Sequence, residues 1–256
     1  MTEQNATMTL GDVRTALKRA VLFTDRKGPR PVLQTVRITF GLGSVRFDAA
    51  DGFKLAVQRY DAQTDTDHAD ASALLQRADA TALLKVLPKT IASDTDEITI
   101  TIDAASVNDR VHHAITISHR IADSEWADQH HTDRVPGQRY SYLGLSGSFP
   151  DVDRLIPREL DGERDSTPRI ALGPEHAIAV NKAATIGRPT TAIVRWYMPA
   201  DVTSPVVACI GSEFVAVIMP MFVDWGNVES ETTIRYVLGE VAPDVAIVAV
   251  EADAAS

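Results

Sequence analysis

The residue types in this 256-residue chain that could do chemistry are few. The densest group is Asp128, His130, His131 and Asp133 in the run ADQHHTD, with His112-His113 upstream. Imidazoles and carboxylates are ordinary zinc ligands. Adjacent side chains on a strand point to opposite faces, however, and none of these pairs has the i, i+4 spacing by which a helix presents two rings to one ion. The surrounding SEWADQHHTDRVPGQ reads as a solvated loop, and no metal is expected. GLSGS at Gly144 to Ser148 is not a G-x-S-x-G elbow, because its second glycine comes one position early. GLGSVR lacks the sixth-position glycine of a dinucleotide fingerprint. The single Cys209 lies in the apolar run SPVVACI and reads as a buried, inert thiol, which excludes a disulfide framework. With no phosphate loop, paired catalytic carboxylates or nucleophile and base set, neither a cofactor nor catalysis is expected.

The totals narrow the partners. With 45% hydrophobic residues the chain is long enough to bury one large core or two smaller ones. No apolar run reaches the length of a membrane helix, and the opening MTEQNATMT lacks the basic start and apolar block of an export signal. A soluble, cytoplasmic protein with no membrane partner is expected. A formal charge of −10 argues against coating nucleic acid with the whole surface, since phosphate binding is dominated by Lys and Arg. A local basic strip is compatible with it.

Three stretches share one layout, a short strand and a hinge followed by a helix of about three turns and then β-rich sequence: TMTLGDVRTALKRAV, ALLQRADATALLKVL and RIALGPEHAIAVNKAA. In the first, Val13, Ala16, Leu17 and Ala20 recur at helical spacing, with Asp12 in the first turn. In the second, Asp79 is the expected N-cap and Leu83, Leu84 and Leu87 the apolar stripe. In the third, Pro174 suits the first turn, and Ala177, Ile178 and Ala184 are expected to face inward. VLQTVRITF and SVRFDAA form a hairpin across the Gly41 to Ser44 turn, and KLAVQRY supplies a third strand. EITITID should pair with HHAITIS, and TTAIVRWYM with PVVACIG, followed by EFVAVIMPM. The reading is an α+β fold of repeated strand-helix-strands units, with helices covering one face of antiparallel sheets. Arg14 and Lys18, Lys85 and Lys89, and Lys182 stand off the apolar stripes, so basic residues segregate to the helical faces. Solvated helix faces commonly carry such residues in any case.

Three segments then occur in a telling order: AADGFKLAV (Ala49 to Val57), GSFPDVDRLIP (Gly147 to Pro157) and AVIMPMFV (Ala216 to Val223). Together they resemble the bacterial sliding clamp, the beta subunit of DNA polymerase III. That family shows A-T-D-G-H-R-L-A, F-P-D-Y-R-R-hydrophobic-P and a terminal Y-hydrophobic-hydrophobic-M-P-M-R-L strand in the same sequence. Residues from about Met8 to Ile156 resemble its middle domain, and Arg169 to Val223 the later half of its last domain. Nothing corresponds to its first domain. The resemblance implies a clamp-like domain at 1–146, a connector at 147–168, an apparent half-domain at 169–223 and an extension at 224–256. TIRYVL and VAIVAV in the extension have strand-like composition and suit an added hairpin.

The resemblance also implies a function. In that family the connector walls a hydrophobic pocket that receives a short Gln-Leu-x-Leu-Phe type peptide from polymerases and other partners. Carried over, the pocket comprises Leu33; Gly52, Phe53, Lys54 and Leu55; Pro150, Arg154 and Leu155; and Val217, Ile218, Met219, Pro220 and Met221. Leu33, Val217 and Met219 equally suit an ordinary core. Arg14, Lys18, Lys85, Lys89 and Lys182 are the expected set facing double-stranded DNA, without sequence preference. The sequence departs from the family at Phe53, Lys54 and Phe222, where His, Arg and Arg are usual. The implied protein is a non-enzymatic homo-oligomeric ring that tethers DNA polymerase and other clamp-binding proteins. The alternative is a clamp-derived peptide-binding module that does not enclose DNA.

Overall fold

Thr9 closes the first strand and opens the first helix. Strand β1 (Gln4–Thr9) runs directly into α1 (Leu10–Val21). The Thr9 hydroxyl accepts from the Asp12 amide at 3.1 Å and donates to the Asp12 carboxylate at 2.7 Å, satisfying an amide that a helix start leaves orphaned. In this computed structural model the described residues are 3–65, 71–88, 95–107, 110–120, 138–156, 172–187, 193–199 and 204–221. Two units divide the chain, Met1–Pro220 and Met221–Ser256, and of the second only Met221 is described. Lys89, Phe222, the cluster Asp128 to Asp133 and the 224–256 extension lie outside the described residues.

The helical stripes follow the spacing for α1, where Val13, Ala16, Leu17 and Ala20 are fully buried. Helix α2 (Arg77–Val86) again follows a strand without a break, β6 (Ser72–Gln76). Its cap residue is Gln76, not Asp79, which stands one turn in; there its charge still suits the positive end of the helix dipole. Leu83 and Leu87 are buried. Helix α3 (Pro174–Thr185) begins on its proline as expected, but its inward stripe is His176, Ala179, Val180, Ala183 and Ala184. Ile178 is half exposed instead. The small residues let α3 approach α1 closely, and that contact sets the rotation. At its end Gly187 has φ of 72°, and a Cβ there would lie 2.4 Å from the Thr15 hydroxyl oxygen.

Ten further strands complete two antiparallel sheets: β2 (Thr35–Gly41), β3 (Ser44–Ala50), β4 (Lys54–Asp61), β5 (Gln63–Thr64), β7 (Glu97–Val107), β8 (Arg110–Arg120), β9 (Arg139–Leu143), β10 (Val194–Tyr197), β11 (Val206–Ile210) and β12 (Phe214–Ile218). One sheet has the order β5-β1-β7-β8-β9 and the other β10-β11-β12-β4-β3-β2-β6. Within the described residues the predicted hairpins form, with β2 on β3, β7 on β8 and β10 on β11. Beyond them, β12 pairs with β4, so Ala216 stands opposite Ala56 and Ile218 opposite Lys54. No described helix is long and apolar enough to cross a membrane.

Around β4, β11 and β12 the seven-stranded sheet is apolar on both faces. Ala56, Ala208, Ala216 and Ile218 join the main core beneath the helices, while Leu55, Val207 and Val217 belong to a second cluster. Period two along each strand dictates that split. A strand buried on both sides reads as a continuous apolar run, which is why PVVACI shows no alternation.

Candidate partner-binding surface

The second cluster is what residues Gly147 to Ile156 of the segment GSFPDVDRLIP cover. Its Val152 is fully buried, and Phe149 and Ile156 pack on the same group of Leu33, Leu55 and Val217. The half-apolar composition of this segment thus has a physical cause, because it is the lid over the back face of a sheet. Charge fastens it. Asp48, with no exposed surface, accepts from Arg37 at 2.6 and 2.8 Å and from Arg46 at 2.8 Å. Arg46 continues to Asp153 at 2.8 Å, and the Arg37 guanidinium lies 4.9 Å over the Phe149 ring. Burial opposes the Arg46 charge, but Asp48 and Asp153 outweigh it and hold the guanidinium above its ordinary pKa.

The turn at 51–54 is fixed as firmly. The Asp51 carboxylate accepts from the amides of Phe53 and Lys54, both at 2.9 Å, and pairs with the Lys54 ammonium. Gly52 takes φ of 100°, a conformation that favours glycine. The Met219 amide donates to the Phe53 carbonyl at 2.8 Å, so the turn and the end of β12 are tied together. Leu33 sits in a 3-10 turn at Pro31–Gln34 rather than on a strand. The loop before it is braced by Asp25, whose carboxylate accepts from the amides of Lys27 and Gly28 and is held below its usual pKa chiefly by the former.

The structure therefore brings together most of the residues expected from sequence, in two roles. Leu33, Leu55 and Val217 form a floor filled from within. Phe53, Leu155 and Met219, on the adjoining turn, strap and strand end, are 65%, 49% and 44% exposed. Pro150, Pro220 and Lys54 are intermediate, and Arg154 is open to solvent, 3.9 Å from Asp151. Ile218 points away into the main core, as alternation along β12 requires. Met221 is exposed and opens the second unit. Of the basic set, Lys18, Lys85 and Lys182 are exposed. Arg14 is half buried and donates to the Pro88 carbonyl at 2.6 Å, linking α1 to the chain beyond α2.

Sequence reasoning missed a second polar feature. A cleft of about 570 Å³ opens beside α1, with Asp12, Arg59, Asp61 and Glu213 on its walls and Arg19 and Tyr60 at its base. Arg19 is fully buried on the helix stripe itself. It donates to the carbonyls of Ala183 at 3.0 Å and Ile186 at 3.1 Å, the end of α3, and lies 3.6 Å from Glu213 and 5.4 Å over Phe214. Burial pushes the neighbouring Tyr60 hydroxyl up to about 12. The only hint in sequence is a charged residue interrupting an apolar stripe. Among the described residues, no group of three metal-ligating side chains is gathered.

No protein-family model matches the sequence, and no curated protein is significantly similar to it. Solved structures are. The chain aligns over 86% of its length with a ligand-bound DNA polymerase sliding clamp from Pseudomonas aeruginosa at a TM-score of 0.63 and 14% identity. It aligns over the same share with the DNA polymerase III subunit beta of that organism at 0.59 and 17%, and with another structure of the sliding clamp at 0.60 and 15%. The match spans 66–67% of those chains. With its two antiparallel sheets, helices over the main core and strap across the back face, the chain has the fold of a bacterial DNA polymerase sliding clamp.

Proposed function

We propose that this chain is a sliding-clamp-like processivity factor: a non-enzymatic, cytoplasmic homo-oligomer that encircles duplex DNA and carries polymerase and other partners by short peptides. The observation that supports it best is the meeting of the 147–156 strap, the 51–54 turn and the end of β12 around one apolar floor. An extended peptide gains most from burying anchors beside a rigid apolar surface, and Phe53, Leu155 and Met219 offer that surface. The flexible thioether of Met219 adapts to different guests. Lys18, Lys85 and Lys182, with Arg14, supply the positive helical faces, each contributing weakly and without sequence preference. Divided as the sequence suggests, the peptide surface lies where a domain at 1–146 meets a half-domain at 169–223.

Enclosure has a distinctive signature. A closed ring stays on circular duplex DNA through a salt wash that strips contact binders, and runs off once the circle is cut. Native mass spectrometry should show an oligomer, and a strict monomer at micromolar concentration with no salt-resistant retention on circles contradicts the ring. A second reading, a peptide-binding module that does not enclose DNA, rests on the same apolar floor, which one chain builds by itself. That monomeric outcome together with peptide binding would establish it. For the surface itself, Met219→Ala and Leu155→Ala are each expected to weaken a Gln-Leu-x-Leu-Phe peptide by about 1–3 kcal/mol, the usual cost of truncating an anchor. Isothermal titration on the folded variants measures this, and unchanged affinity in both places the peptide elsewhere.

A further inference from the structure

Among the described residues Phe53 is the one aromatic side chain that is mostly exposed. A ring left in water at the tip of a tight turn has no packing reason to be aromatic. Yet its backbone is pinned at both the amide and the carbonyl. Its amide donates to the Asp51 carboxylate, its carbonyl accepts from Met219, and one ring face lies against the His176 imidazole at 6.3 Å between centroids and 19° between planes. His176 is nine-tenths buried at the start of α3. The Glu175 carboxylate stands 3.4 Å from His176 Nε2 and is 66% exposed. The neighbouring Lys54 ammonium is already matched by Asp51.

We infer that Phe53, backed by His176 and flanked by Glu175, is a subsite for an arginine side chain of the partner segment, its guanidinium stacked on the open face of the ring and paired with the carboxylate. A planar cation is the group this combination selects, because the ring quadrupole attracts charge on its face and a fork of N–H donors fits a carboxylate. The net charge of −10 favours a basic partner in the same sense. The inference rests on the peptide-docking reading above and adds a side-chain specificity to it.

The test uses the full chain and Gln-Leu-Ser-Leu-Phe peptides extended at either end by Gly-Arg, Gly-Lys, Gly-Phe or Gly-Gln. One arginine peptide should bind about fivefold more tightly than its glutamine counterpart. In Phe53→Leu and in Glu175→Gln that ratio should fall to about one. Equal binding of the arginine and glutamine peptides, a ratio that survives both substitutions, or a lysine or phenylalanine peptide tighter than the arginine one overturns the subsite while leaving peptide docking intact. Nα-acetyl-arginine amide, followed by NMR of the Phe53 ring, separates the two readings. If no peptide binds but the amide shifts the ring in a Glu175-dependent way, the subsite stands and the docking reading falls. If neither happens, both fall.

Discussion

Replacing Asp48 with alanine is expected to destabilise the protein by about 3 kcal/mol, at the low end of the range for breaking a buried ion pair because both arginines keep some solvent. Asp48 is the sole carboxylate common to Arg37 and Arg46 in the described residues and has no exposed surface. Its removal leaves two guanidiniums half-sheltered, one held only by Asp153 and the other by the Phe149 ring. Denaturant melts of D48A and wild type give the loss directly. The same change should loosen the strap, since Arg46 and Arg37 are its polar anchors on the sheet. Trypsin should then cut after the exposed Arg154 sooner in D48A than in wild type under native conditions. A loss below about 1 kcal/mol with unchanged proteolysis, well short of the usual cost of an orphaned buried charge, means that apolar packing of Val152 and Phe149 alone holds the strap.

Arg19→Met should cost a comparable amount, about 3 kcal/mol, and in a different place. Methionine fills the volume but takes the guanidinium donors from the Ala183 and Ile186 carbonyls, leaving Ala183 the Ile186 amide at 3.3 Å, and removes the cation 3.6 Å from Glu213. The last carbonyls of α3 lose the side-chain cap that holds them. Hydrogen exchange should therefore quicken most in α3 and in β11 and β12, which reach the rest of the fold through α1 and β4. Lysine should not rescue: it carries the charge but cannot donate at once to two carbonyls, a tyrosine hydroxyl and a carboxylate in fixed directions. An Arg19→Lys protein as stable as wild type means that charge alone serves there and the fork is immaterial.

Much of this architecture was legible along the chain. The hairpins and three helices followed from period and turn chemistry, and the Asp48 pairing was within reach too. Once the Gly41 to Ser44 turn sets the register of β2 against β3, Arg37 stands directly opposite Asp48, and Arg46 is two residues away on the same face. Arg19 was not legible, because its partners lie 164 and 167 residues away in sequence and no local rule connects them. The rotation of α3 was misjudged for the same reason. Its alanines fit several faces equally well, and contact with α1 chose among them.

The chain by itself determined the three helices, the main hairpins and their order, since turn residues and hydrophobic period are local properties that backbone geometry reads directly. Tertiary structure decided the rest: that β12 pairs with β4, that the sheet around that junction carries apolar side chains on both faces, and that Phe53 stands on His176 beside Met219. Those are meetings between distant segments. Their energy comes from burial and complementary charge that exist only once the chain has folded.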